Sequence, residues 1–313
     1  MSREDDPPLV TAGLIATGVV AVSFSGPIAA STLAPALAVA LWRNAFGAAA
    51  GAPFTLTRRW AELRELVLER PRVLGTAVLA GGFLALHFGL WIPSLRMTSV
   101  TASTALVTTV PVWTVAVARL RGRDVPRAVL VGVLLALAGV SVITGVDATA
   151  SARALRGDLM ALAAGAAAAG YVACGESVRR SVGTASYTLV AYTACALALL
   201  PVCLLTGTPL WGFSPRTWAE LAVLTLTAQL LGHSLLNRAL RSAGATTVSL
   251  AVLLEVPGAA LVAWVWLGQV PPLAVVPGVV LILTGLAVVV RARARAWPRH
   301  VVADVDTVAA ATL

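Results

Sequence analysis

The sequence predicts an all-α polytopic membrane protein, with ten transmembrane helices arranged as two inverted five-helix repeats. Three observations carry this reading: apolar runs as long as a bilayer is thick, arginines sorted to one side of them, and an internal repeat at an offset of 146 residues.

The 313 residues are 58% hydrophobic and only 12% charged, against about 25% charged in soluble domains. Crossing a hydrocarbon core about 30 Å thick takes roughly 20 apolar residues. Ten such runs follow one another: 9–30, 33–54, 73–95, 98–118, 128–146, 158–177, 185–206, 217–240, 245–267 and 270–290. The first is too long for the apolar core of a signal peptide, and an acidic stretch precedes it, so it reads as a retained helix. The connections are short and leave no room for a soluble domain.

All 23 basic residues are arginine, giving a net charge of +9. When the connections are assigned alternately to two sides, eighteen arginines fall on one side and four on the other, with Arg43 inside a span. The positive-inside rule then places both termini in the cytoplasm. This asymmetry makes anionic membrane lipids, not nucleic acid, the expected partners of the charge.

Shifting the chain by 146 residues aligns 84–142 with 230–288 without a gap, and 18 of the 59 positions are identical. The matches include His87 with His233, Pro111 with Pro257, Gly132 with Gly278 and Gly139 with Gly285. Five helices per copy is an odd number, so the second copy enters the membrane upside down. Charge agrees: Arg119, Arg121, Arg123 and Arg127 of one connection align with Val265, Leu267, Gln269 and Leu273. The repeats span 9–146 and 157–290, followed by a cytoplasmic tail, 291–313, that is aperiodic after Trp297. Inverted repeats are a hallmark of secondary transporters, with the substrate site near the midplane.

In chain order, the second run carries Arg43 at its centre and the ninth carries Glu255. A charge there costs about 2.5–3.5 kcal/mol on insertion scales and usually faces a cavity or a partner. Either the two form a structural salt bridge, or each serves function: Glu255 as a proton carrier, Arg43 as a fork for a substrate carboxylate or phosphate. Connection 55–72 has Trp60, Leu63 and Val67 at helical spacing, which fits a short interfacial helix or a solvated charged loop. The third run holds His87 and Trp91. The fourth holds Thr108, Thr109 and Pro111, and the ninth holds Pro257 at the slot of Pro111. Mid-span prolines free the carbonyls of Val107 and Leu253, either to line a site or to kink a packed helix. In the eighth run Thr225, Gln229, His233, Asn237 and Arg241 recur every four residues, along one face. That stripe reads as cavity lining or as interhelical glue. Cys174, Cys195 and Cys203 lie inside spans and read as small apolar residues; no metal site or cofactor is expected. Small-residue runs such as 165–170 leave room for a homodimer.

Several of these segments resemble EamA-type members of the drug/metabolite transporter superfamily: Pro35 to Arg43, Leu86 to Trp91, Ser99 to Pro111, Gly232 to Asn237 and Leu253 to Trp264. The resemblance covers both repeats. It implies ten helices around a central cavity and export of small metabolites or drugs. Where such proteins often carry Glu after the glycine of the 4–5 and 9–10 turns, this chain has Arg123 and Gln269. The expected activity is secondary transport of a small molecule, amino acids or their derivatives fitting the cavity chemistry. The cavity residues would be Arg43, Glu255, His87, Trp91, Thr108, Thr109, Gln229, His233 and Asn237, with Pro111 and Pro257 as kinks. A membrane-embedded enzyme and a non-transporting scaffold are the rivals. Neither H-E-x-x-H nor G-x-S-x-G occurs, and without lysine there is no P-loop for a pump.

Overall fold

A computed structural model of the chain describes residues 8–120, 124–179, 181–236, 239 and 251–296. Every regular element among the described residues is helical: α1 (Pro8–Ser23), α2 (Ser25–Ser31), α3 (Ala36–Arg58), α4 (Trp60–Leu68), α5 (Pro71–Ser94), α6 (Val100–Val107), α7 (Val110–Leu120), α8 (Arg127–Ala150), α9 (Ala152–Val178), α10 (Thr184–Leu205), α11 (Pro215–Leu224), a π-helical segment (Thr225–Gly232), α12 (Glu255–Leu267), a 3₁₀ turn (Leu273–Val275) and α13 (Val276–Ala296). Among the described residues, eight continuous stretches are long and apolar enough to cross a membrane. The run containing Arg43 is the 23-residue helix α3, whose polar residues dilute its apolar character. The ninth run is present as α12, 13 residues long, and its start at 245–250 lies outside the described residues.

Local chemistry fixes many helix ends. Ser99, Ser151 and Ser214 accept hydrogen bonds from the N–H groups of Ala102, Ala154 and Thr217, satisfying N-terminal donors of α6, α9 and α11. Pro71 and Pro215 open α5 and α11, where a missing N–H costs nothing. Gly268, at φ 64°, ends α12 in a left-handed turn, and the Gln269 N–H donates back to Ala263. The connection 55–72 folds as α4, with Leu66 buried and Trp60 exposed. Its Glu62 accepts a hydrogen bond from the Gly183 N–H at the start of α10.

Helix pairs follow the placement of small residues. Helices α8 and α13 pack closely along their length. A Cβ on Gly132 would lie 2.6 Å from the Gly285 carbonyl, and one on Gly139 would lie 2.5 Å from that of Gly278. The pairing 132 with 285 and 139 with 278 makes the helices antiparallel. Gly132 and Gly278 match at the 146-residue offset, as do Gly139 and Gly285, so each glycine faces the counterpart of the other glycine on its own helix. Helix α5 packs against α9 and α10, α3 against α10, and α1 against the π-helical segment. Exposed leucines such as Leu134, Leu197 and Leu204 form the outer, apolar face.

Candidate functional site

Arg43 occupies the middle of α3 with only 1% of its surface exposed. Its Nε donates to Gln229 Oε1 at 3.0 Å and its Nη1 to Ser25 Oγ at 3.3 Å. Its Cζ stands 4.0 Å above the Phe88 ring, a cation–π contact from α5. Gln229 extends the network by donating to Asn44 Oδ1 at 3.4 Å, and Asn44 donates to the Ala40 carbonyl. Gly47 leaves room for this arrangement, since a Cβ there would lie 2.8 Å from Gln229 Nε2 and 3.2 Å from Tyr192. All these hydrogen-bond partners of the guanidinium are neutral, and among the described residues no acceptor takes the Nη2 protons.

Glu255, the first residue of α12, is half-buried. It interacts electrostatically with Arg43, but among the described residues the two form no ion pair within 4 Å. His233, one helical turn beyond Gln229, keeps exposed surface while interacting with Arg43 and His87. The π-helical segment contains Gln229; its wide turns offset the drift of residues four apart, so Thr225 and Gln229 both stay buried. Asn237, the next member of the stripe, lies outside the described residues.

The other candidates pack around a helix break. The regular helix is interrupted by turns at Thr108 and Thr109, between α6 and α7, just ahead of Pro111, and at Leu253 and Leu254, just ahead of Pro257. Thr108 and Thr109 spend their hydroxyl protons on the carbonyls of Ala105 and Leu106. Helix α9 presses on this break, where a Cβ on Gly165 would lie 2.9 Å from the Val107 carbonyl. His87 Nδ1 meets the Ala164 carbonyl at 3.0 Å and its ring stacks on Trp91, 5.8 Å between centroids. Trp91 is buried, and its Nε1 has no partner among the described residues.

The comparisons bear on what such a site belongs to. Residues 155–291 match the EamA-like transporter family, part of the drug/metabolite transporter superfamily. This stretch of the chain is similar to that family's transporters. No curated protein matches significantly. One solved crystal structure superposes with a TM-score of 0.60 at 18% identity, covering 92% of this chain and all of the other. At that identity the likeness concerns the fold.

The matched stretch holds Gln229, His233, Glu255 and Pro257, whereas Arg43, His87, Trp91, Thr108, Thr109 and Pro111 come from the part that precedes it. The structure therefore bonds Arg43 to Gln229 across the two parts of the chain, with Glu255, His87 and His233 within electrostatic reach of the guanidinium. The threonines stay at the helix break. Sequence reasoning missed Ser25, Phe88 and Tyr192, ordinary residues in apolar runs until packing brings them to Arg43, and Asn44, which enters the network through Gln229. It also missed Asp158, a fully buried carboxylate in the first turns of α9.

The arginine-poor end above this site is tightly tied. Arg96 Nη2 donates to the carbonyls of Thr32 and Ala34, and burial lowers its pKa from the usual guanidinium value. Trp42, beside Arg43, donates from Nε1 to the Leu210 carbonyl at 2.9 Å and contacts Trp211 and Trp218 edge-on. Gln269, just after the Gly268 that ends α12, accepts from the Val100 N–H at the start of α6.

Proposed function

We propose that this EamA-like membrane protein is a secondary active transporter, exporting a small metabolite or drug across the cytoplasmic membrane by alternating access. The observation that carries the proposal is the buried Arg43, held by neutral groups from both halves of the chain. A cation this deep costs too much to keep as mere packing. Ten spans in two inverted repeats are part of the same reading. Supporting it are the antiparallel α8–α13 interface, whose contacts exchange under the 146-residue shift, and the paired breaks ahead of Pro111 and Pro257. A two-fold axis in the membrane plane is the operation that makes such an interface self-complementary. Both termini are proposed to be cytoplasmic, on the arginine-rich side.

The test is comparative metabolite profiling of medium from cells expressing the chain or its Arg43→Gln variant. At least one unmodified small metabolite should accumulate outside only with the wild type. A chemically converted lipid or peptide would point to an enzyme instead, and no difference for any metabolite would point to a scaffold.

A further inference from the structure

Arg43 has everything a buried guanidinium needs except a counterion. Its hydrogen-bond partners, Gln229 Oε1 and Ser25 Oγ, are neutral; Phe88 offers only a ring face; Nη2 is unused among the described residues. The nearest carboxylate in its field, Glu255, stays beyond ion-pair distance. Buried cations demand a nearby anion more strongly than surface ones, because no water screens them. The place for that anion is beside Nη2, which the protein's own described groups leave without an acceptor.

Resting on the transporter reading above, we propose that the substrate is an organic monocarboxylate with an apolar or aromatic body, which binds Arg43 as its counterion and is accompanied by one proton taken from water onto Glu255. The charge arithmetic favours one negative charge on the ligand. One fixed cation stands in the site, so a dianion such as a phosphate monoester is left half uncompensated. A carboxylate also fits the planar fork. Phe88, Trp91 and Tyr192 near the network suit a flat apolar body. The proton follows from the same arithmetic, since an ionised Glu255 and a bound carboxylate would repel one another beside a single arginine. When Glu255 takes a proton, site plus ligand keep the charge that site alone had before.

The ionisable groups around this exchange are few. Helix α3 supplies Arg43, α5 His87, α10 Tyr192 and Cys195, and the eighth span His233. Helices α1, α2 and α6, which pack against the α12 helix of Glu255, carry no ionisable side chain. Glu255 is thus the one carboxylate among them that can answer the arrival of an anion.

The experiment uses purified full-length protein in detergent, with benzoate as probe and benzamide, benzylamine, phenylalanine and phenyl phosphate as charge variants of it. Thermal shift and calorimetry report binding from about pH 8 to about pH 6, where benzoate stays ionised. Benzoate should raise the melting temperature more than any of the other four. Its affinity should rise roughly tenfold per pH unit lowered while Glu255 titrates, as uptake of one proton requires. Glu255→Gln should bind benzoate with no pH dependence, as tightly as the wild type at the acid end. Arg43→Gln should lose benzoate; where that variant does not fold, Arg43→Lys should keep the anion preference at least tenfold more weakly. Preference for benzylamine, phenylalanine or phenyl phosphate, absence of benzoate binding, a flat wild-type profile, or weakened binding in Glu255→Gln would each overturn the proposal. A protein that exports a metabolite yet prefers another charge class keeps the transporter reading and loses this one. One that binds benzoate as described yet moves no metabolite does the reverse.

Discussion

At the scale of single residues, the economy of the site lies in Gln229. Its amide oxygen takes the Arg43 Nε proton while its amide nitrogen reaches Asn44, so one side chain faces a cation and stays neutral. Replacing it by Leu leaves a buried guanidinium short of an acceptor, at a cost of about 1.5–3 kcal/mol for a hydrogen bond to a charged group. Gln229→Leu should therefore lower the unfolding midpoint of the purified protein, whereas Gln229→Glu should supply a counterion and blunt the response to benzoate. A full benzoate response in Gln229→Glu would contradict the assignment of Arg43 as the anion's partner. Arg43, Glu255 and the four-residue stripe through Gln229 were legible because polar groups are conspicuous in apolar runs. Ser25, Phe88 and Tyr192 were not, because only the tertiary fold brings α2, α5 and α10 to the middle of α3; Asn44, next to Arg43 on α3, joins only because Gln229 reaches it. Asp158 was hidden differently: at the end of an apolar run it reads as part of a polar connection, and only packing of α9 against its neighbours buries it.

Among elements, the α8–α13 pair shows how little tolerance a small-residue interface has. A methyl on Gly139 would meet the Gly278 carbonyl at 2.5 Å and the Ile282 nitrogen at 2.8 Å, and backbone cannot step aside as a side chain can. Gly145, on the same helix, has nothing within 4 Å of its missing Cβ. Gly139→Ala should destabilise by about 1–3 kcal/mol through overpacking. Gly145→Ala should be neutral or stabilise by up to about 1 kcal/mol through helix propensity. Thermal unfolding of the two variants side by side tests this, and equal effects would contradict the packing described. The matched glycines were visible in the sequence, but not which glycine faces which. The π-helical segment was not legible as such: a residue every four positions fits an ordinary helix with slow drift, and only the hydrogen-bond ladder separates the two. The connection 55–72, open between helix and loop in sequence, is settled as α4 by the burial of Leu66 and the bond from Gly183 to Glu62.

For the whole molecule, the arrangement predicts a sidedness that can be measured. A reporter active only in the cytoplasm, fused after the last helix, should be active, and one inserted in the connection near Thr208 should be silent. The opposite pair of results would invert the orientation drawn from the arginines. Eight of the ten apolar runs stand among the described residues as helices long and apolar enough to span, in the order read, and the ninth as the shorter α12. The run of Arg43 is the instructive exception, because the residues that make it chemically useful are those that make it look least like a membrane helix. The meeting of Gly132 with Gly285 and of Gly139 with Gly278 has one more consequence. It is the kind of contact by which two separate half-length chains would dimerise, here closed between two parts of one chain. Once closed it is saturated, so that surface is no longer available to recruit a second molecule. Any higher assembly of this protein must be built from other faces.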